Sequence, residues 1–148
     1  MTRYLLVFLV LLMPYPAFAE APQINSGHLN KRAISGYDVI SYWNDGKPMQ
    51  GNADISTEYL GAIWLFDTEK NKAQFLEKPD YYIPQYGGYC AYAASRNAVA
   101  DIDPSAWTIW NDRLYLNFSP YIKRKWEGDI DANIELADGF WPELLKNR

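Results

Sequence analysis

The amino-acid sequence predicts an α+β fold, in which small antiparallel β-hairpins pack against three or four short helices after a cleaved signal peptide. Two observations predict the elements: short runs rich in aromatic and β-branched residues are separated by turn residues, as in hairpins, and other runs begin with helix-capping residues or proline. A third observation concerns the hydrophobic core. Aromatic residues make up 16% of the 148 residues, enough apolar surface for one domain without a disulfide.

The first 19 residues have the pattern of a secretory signal peptide. Arg3 provides the positive start, residues 4–13 form an uninterrupted apolar run, and Ala17 and Ala19 form a small-residue cleavage site. The apolar run is shorter than the roughly 20 residues that span a bilayer. We therefore expect cleavage after Ala19, a periplasmic or secreted location, and no stable membrane anchor after cleavage.

The rest of the chain is expected to contain a flexible lead-in and one domain. The polar residues 20–32 form the lead-in, and residues 33–148 form the domain. Residues 36–43 predict either a short helix or a buried strand. Residues 57–66 predict a hairpin that turns at Leu60-Gly61.

A helix is predicted from Glu69 to Glu77, with Asp67 or Thr68 as its cap and Lys78-Pro79 as its end. Three of its side chains are expected to face the core: Ala73, Phe75 and Leu76. The next elements are a rigid aromatic loop over 79–89, a short helix over 89–96 and a turn over 101–104. A second hairpin is formed by 106–110 and 114–118 around Asn111-Asp112-Arg113. A helix over 120–127 follows, and a last helix over about 131–137 is followed by a tail that runs to Leu145.

Charge and composition exclude several classes of function. The net charge is −4, and the one basic cluster, residues 123–125, is interpreted as a solvated helix face, so nucleic acid is not expected as a partner. The chain has no nucleophile elbow, no phosphate-binding loop and no zinc-protease motif. Its only histidine, His28, lies in the predicted lead-in, which makes histidine-dependent catalysis improbable.

Several segments together resemble the YHS domain family, and more narrowly the exported, single-domain YHS domain-containing proteins of bacteria. The resemblance covers about residues 33–145, and these segments carry it: Tyr37-Asp38-Val39, Glu58-Tyr59-x-Gly61-Ala62, Phe66-x5-Lys72-x2-Phe75 and Pro84-Gln85-Tyr86-Gly87-Gly88-Tyr89-Cys90-Ala91. It implies the compact YHS fold and metal binding by cysteine thiolates, the activity usually proposed for the family. Here Phe66-Asp67-Thr68 stands where the family has Phe-Cys-Ser, and both family cysteines are absent, so that thiolate site does not carry over.

Cys90 is the only cysteine, so it has no partner for an intrachain disulfide. It follows two glycines at the predicted start of a helix, a position that suits a metal-binding or redox-active thiol. The alternative is a small buried residue among aromatic side chains. Copper or zinc would be the metal, and Met49 is the only other soft ligand in the domain.

The candidate ligand-binding residues surround this cysteine and the start of the domain: Cys90, Tyr86, Gly87, Gly88, Gln85, Tyr37 and Asp38. A second group of tyrosines either lines a pocket or forms a wall of the core: Tyr81, Tyr82, Tyr86, Tyr89 and Tyr92. Four aspartates are best explained as caps and turn residues: Asp38, Asp67, Asp101 and Asp103.

Three hypotheses about function follow. The first is an exported, non-enzymatic binding module for a metal ion or small ligand. The second is a structural or partner-binding protein whose signature residues only build the core. The third is an enzyme that uses Cys90 as its nucleophile.

Overall fold

The structure, a computed structural model, describes residues 23–27 and 29–146. Six α-helices and three antiparallel two-stranded sheets lie within them, which confirms the predicted α+β class. The predicted signal peptide, the start of the lead-in and His28 lie outside the described residues. Within the described residues, no helix combines the length and the hydropathy that crossing a membrane requires.

The strands and helices have the following bounds. The strands are β1 (Tyr37–Asp38), β2 (Met49–Gln50), β3 (Asn52–Tyr59), β4 (Ala62–Phe66), β5 (Asp103–Trp110) and β6 (Arg113–Asn117). The helices are α1 (Ser41–Asn44), α2 (Glu69–Glu77), α3 (Pro79–Tyr82), α4 (Ala91–Ala94), α5 (Pro120–Glu127) and α6 (Ile130–Lys146). Strands pair only within β1–β2, β3–β4 and β5–β6, so each sheet is a local hairpin. Two 3₁₀ turns cover Ile34–Gly36 and Gln85–Gly88.

The first large hairpin turns where the sequence predicts. Leu60 and Gly61 have φ of 50° and 73°, the left-handed pair that matches the twist of a two-residue hairpin. β3 begins at Asn52, earlier than expected. The following helix α2 has the predicted bounds, and the Thr68 hydroxyl, not Asp67, caps it by accepting the N–H of Asn71 at 3.1 Å.

The buried face of α2 differs from the prediction. Phe75 is buried as expected, but Ala73 and Leu76 are exposed, so that part of the prediction is wrong. The residues of α2 that face the core are instead Phe75 and, one turn earlier, Asn71. Asn71 turns inward because its amide donates a hydrogen bond of 2.7 Å to the buried Asp38 carboxylate.

The second hairpin is confirmed, with a two-residue turn at Asn111-Asp112 (φ 48° and 56°). β5 starts at Asp103, inside the predicted turn, because Asp103 pairs with Asn117. The pairing register shifts between Asp103 and Trp107, which marks an irregularity in β5. Its neighbour α5 begins at Pro120 as predicted, capped by the Ser119 hydroxyl.

The C-terminal helix is longer than expected. α6 is one helix that includes Pro142, where the sequence predicted a short helix and a tail, so that prediction is wrong. Continuing the helix lets Trp141 pack against Tyr86 and Tyr89, with ring centroids 5.5 and 6.0 Å apart. That packing offsets the backbone hydrogen bond that a proline removes near a helix end.

The core has two parts, with β6 between them. Leu114 and Leu116 point to the larger part, which contains Trp64, Phe66, Phe75 and Cys90. Tyr115, on the opposite face, points to the smaller part and packs against Trp126 at 4.9 Å. Alternation along one strand therefore fills both parts of the core.

The predicted lead-in contributes to the packed domain. Ile24 is only 1% exposed and belongs to the larger part of the core. The backbone of Asn25 bonds in two directions: its N–H donates to the Gly87 carbonyl at 2.8 Å, and its carbonyl accepts from Ile34 at 2.9 Å. The packed part of the chain therefore begins ahead of residue 33.

Candidate functional site

The Cys90 side chain lies at the junction of α4 and β6. It is 1% exposed, and its sulfur caps α4 by accepting the N–H of Ala93 at 3.4 Å. The same sulfur accepts the N–H of Phe118 at 3.3 Å, and the thiol donates to Asn117 Oδ1 at 3.7 Å. The thiol therefore holds a helix start to a strand end, and its polar contacts are with the chain itself.

Asn117 completes this junction from β6. It is fully buried, and its Oδ1 accepts the backbone N–H of Tyr92 at 3.1 Å as well as the Cys90 thiol. The Tyr92 contact fixes which end of the amide faces the sulfur, because only the oxygen can accept it. The Nδ2 atom is buried without a hydrogen-bond partner among the described residues.

The two glycines before the cysteine let another part of the chain approach closely. Gly87 has φ of 60°, and a Cβ there would collide with the Gln23 carbonyl. The Gly87 and Gly88 carbonyls accept hydrogen bonds from the backbone N–H and the side-chain amide of Asn25, at 2.8 and 3.1 Å. The space that a ligand would need beside this turn is therefore filled by residues 23–25.

The neighbouring candidates also have partners within the chain. Tyr86 is buried, and its hydroxyl donates to Asp138 of α6 at 3.0 Å. Burial, followed by the nearby Asp138 carboxylate, raises the pKa of Tyr86 far above its usual value, so the hydroxyl stays protonated. Gln85 accepts from the Arg113 guanidinium at 3.2 Å. These contacts tie the 3₁₀ turn to α6 and β6.

Asp38 is a fully buried carboxylate with three donors. Its Oδ1 accepts the N–H of Ile40 at 2.8 Å. Its Oδ2 accepts the N–H of Asp67 at 2.8 Å and the Asn71 amide at 2.7 Å. The carboxylate therefore joins β1 to the start of α2. Tyr37, the other candidate here, is half-buried against the core.

The described residues hold no group of three or more histidine, cysteine, aspartate or glutamate side chains that could bind a metal ion. Met49 lies in β2, opposite Asp38. Two of the four aspartates that the sequence assigns to caps and turns have such local contacts: Asp101 accepts from Ile102 and also from Asn25, and Asp103 accepts from Ser105.

A second group of side chains, which we call the aromatic–amide surface, combines aromatic rings with amides and reaches solvent. It consists of Trp43, Asn44, Gln74, Tyr81 and Tyr82. The Trp43 and Tyr81 rings lie 5.1 Å apart and tilted by 34°, and Tyr82 meets each of them edge-on at 6.0 and 5.0 Å. Trp43 and Tyr82 pack against the core, whereas Tyr81 is 46% exposed. The Tyr81 ring is therefore supported from beneath and open to solvent.

Amides extend this surface at one side. Asn44 and Gln74 exchange hydrogen bonds of 3.0 and 3.3 Å, although they lie 30 positions apart along the chain. Gln74 also donates to the Tyr82 hydroxyl at 3.1 Å. Asn44 donates more weakly to Asn71 at 3.4 Å, and Asn71 in turn bonds to the buried Asp38 carboxylate. Rings and amides therefore form one connected set.

Sequence reasoning identified only part of this surface. Tyr81 and Tyr82 belong to the tyrosine group that was expected to line a pocket or form a wall of the core. Trp43, Asn44 and Gln74 were missed, because no spacing in the sequence joins the end of α1 to α2 and α3. The nearest signal is the turn that begins at Asn44, which places Trp43 at a surface boundary.

The outer side of α6 carries an open groove of about 560 Å³. Its lining comes from one helix: Ala132, Glu135, Leu136, Gly139 and Phe140. Leu136 is 43% exposed there, and Glu135 is the charged residue of the lining. The groove is thus mainly apolar, with one carboxylate in its lining.

Comparison of the chain with models of known protein families, with curated proteins and with solved structures finds no match.

Proposed function

We propose that this chain is an exported, non-enzymatic binding module with a YHS-like fold, and that its ligand site is the aromatic–amide surface. The observation that carries the proposal is the Tyr81 ring, which is exposed yet held by Trp43 and Tyr82 at centroid distances of 5.1 and 5.0 Å. A ring that is already fixed loses little conformational entropy when a ligand covers it.

The buried position of Cys90 supports the same proposal, because it makes the alternative site inaccessible. A nucleophile or metal ligand must be reached by its substrate or ion, and the Cys90 sulfur is 1% exposed and engaged by three groups of the chain. A catalytic thiol is commonly activated by a neighbouring base. Within the part of the chain that the structure describes, the sulfur bonds to two backbone N–H groups and one amide, none of which is a base.

Protein-observed NMR with a library of small polar fragments tests the proposal. We expect at least one class of fragment to shift the indole signal of Trp43 and the side-chain amide signals of Asn44 and Gln74. Tyr81→Ala should abolish these shifts. Tyr121→Ala is the matched control, because Tyr121 is also exposed (56%) but lies on α5. Fragments that shift none of these signals would refute the proposal.

A second candidate function is partner binding through the α6 groove, with a cationic amphipathic helix of another protein as the occupant. Charge complementarity favours this occupant, because the carboxylate of Glu135 lies beside the apolar side chain of Leu136. The test uses two model helical peptides, one alternating Leu with Lys and one alternating Leu with Glu. The lysine peptide alone should bind, less tightly at high salt and less tightly to Leu136→Gln. Equal binding of both peptides, or of neither, would refute it.

A further inference from the structure

Some polar groups of the aromatic–amide surface can still form hydrogen bonds with a ligand. Both N–H groups of the Asn44 amide donate to other amides, and those of Gln74 donate to Asn44 and to Tyr82. Each of these two amide oxygens accepts one bond and keeps a second lone pair. The Tyr82 oxygen accepts from Gln74, which leaves its O–H to donate. Asn44, Gln74 and Tyr82 therefore offer two acceptors and one donor to a ligand, and all three groups are uncharged.

The aromatic part offers a flat face instead of an enclosure. Trp43 and Tyr82 cover one side of the set and leave the Tyr81 ring open. The Trp43 indole N–H is buried without a partner among the described residues, so Trp43 contributes its ring and no hydrogen bond to a ligand. Ring faces are electron-rich and attract weakly polarised C–H groups.

We propose that the aromatic–amide surface binds a neutral saccharide chain, an inference that rests on the proposed function and names its ligand class. A pyranose ring has C–H groups on one face, which suit the Tyr81 ring. It has hydroxyl groups around its rim, which both donate and accept and so match the free capacity of Asn44, Gln74 and Tyr82. Because the surface is open, a sugar within a longer chain has access to it.

Two other ligand classes fit less well. A quaternary ammonium ion is bound by rings that surround it, each within about 6 Å of the cation. Here the three ring centroids are only 5.0–6.0 Å from one another, so the rings fill the space that a cation would occupy. An anionic ligand needs a cation at the site, and the five side chains carry none.

Calorimetric titration of the purified, exported chain with hexasaccharides tests the inference. The probes are neutral β-linked glucose, N-acetylglucosamine and xylose oligomers. We expect one of these probes to bind. Tyr81→Ala should weaken that binding about tenfold or more, the effect of losing roughly 1.4 kcal/mol of stacking energy.

Two further variants separate stacking from hydrogen bonding. Gln74→Leu keeps the rings and removes an acceptor, so it should also weaken binding, by about threefold to tenfold. Tyr121→Ala should leave the affinity unchanged. Retained thermal unfolding temperatures of all three variants would show that the fold is intact.

The possible results also distinguish the two proposals. If no saccharide binds but trimethylammonium or an aromatic fragment shifts the Trp43 signal, the saccharide inference is overturned and the proposed binding function stands. If saccharides bind and Tyr81→Ala has no more effect than Tyr121→Ala, the site assignment is overturned. If neither saccharides nor fragments perturb this surface, both proposals fail.

Discussion

The segment from Tyr86 to Ala91 and the aromatic–amide surface each contain two tyrosines, yet the first is mostly buried and the second reaches solvent. In the first, the Cys90 sulfur and the Tyr86 hydroxyl bond to the chain itself, and the glycine carbonyls are capped by Asn25. In the second, Tyr81 is 46% exposed above a fixed support. The comparison shows that a dense group of aromatic, glycine and cysteine residues indicates a constrained backbone, and that the hydrogen-bond partners decide whether it can bind anything.

The strongest test of the comparison is Gly87→Ala. Both Gly87 (φ 60°) and Gly46 (φ 62°) have left-handed backbones, but a Cβ at Gly87 meets the Gln23 carbonyl, while one at Gly46 meets nothing within 4 Å. Gly46→Ala, the control, should cost about 1 kcal/mol of unfolding free energy for the backbone alone. Gly87→Ala should cost about 3 kcal/mol more, because it must displace residues 23–25. Urea unfolding measures both, and equal losses would mean that the lead-in does not pack on this turn.

Asp38→Asn should give the next largest effect. The substitution keeps the shape but turns one acceptor oxygen into a donor that faces the donors of Asp67 or Asn71. We expect a loss of about 3 kcal/mol in unfolding free energy, because a buried charged acceptor with three donors is replaced by a mismatched group. Asp103→Asn is the control, since the Asp103 carboxylate accepts its hydrogen bonds from Ser105, two positions along the chain. If the two variants lose equal stability, Asp38 does not have the structural role assigned here.

Replacing Cys90 should have a smaller effect on stability, and the burial of its thiol should prevent labelling of the native protein. Cys90→Ala leaves the N–H groups of Ala93 and Phe118 without the sulfur acceptor, at a cost of about 2 kcal/mol. In the wild type, a thiol reagent such as a maleimide should react only after denaturant is added. Rapid labelling of the native protein would show that the sulfur is accessible and would restore the thiol enzyme hypothesis.

The smallest effect concerns alkaline pH. Burial and Asp138 raise the pKa of Tyr86 in the folded protein above the value of about 10 in the unfolded chain. The unfolded chain therefore releases this proton first, so the stability that Tyr86 contributes is complete below about pH 10 and declines as the pH rises further. Tyr86→Phe should lower neutral-pH stability by about 1 kcal/mol and show a shallower alkaline decline. Parallel slopes for Tyr86→Phe and wild type would contradict the assignment.

The sequence predicted the hairpins and most helix starts because each depends on residues that are adjacent in the chain. A pair such as Leu60-Gly61 or Asn111-Asp112 sets a turn, and Thr68 or Pro120 starts a helix without help from distant residues. The errors arose where tertiary contacts decide. Leu76 is exposed because Asn71 bonds to Asp38, and α6 continues through Pro142 because Trp141 packs against Tyr86.

The candidate site was harder to predict than the fold for the same reason. The sequence drew attention to Cys90, where glycine, tyrosine and cysteine are consecutive. It could not show that Asn25 would cover the glycines from more than 60 positions away. It also could not bring Trp43 to Tyr81, because that contact depends on how α1, α2 and α3 pack together.

One measurement tests the central contrast most directly: amide and indole NMR shifts of the labelled protein during titration with the best-binding hexasaccharide, in wild type and in Cys90→Ser. The account predicts shifts at Trp43, Asn44 and Gln74 in both proteins, with the Cys90 and Phe118 signals of the wild type unmoved. Shifts centred on Cys90 and Phe118, and lost in Cys90→Ser, would contradict it.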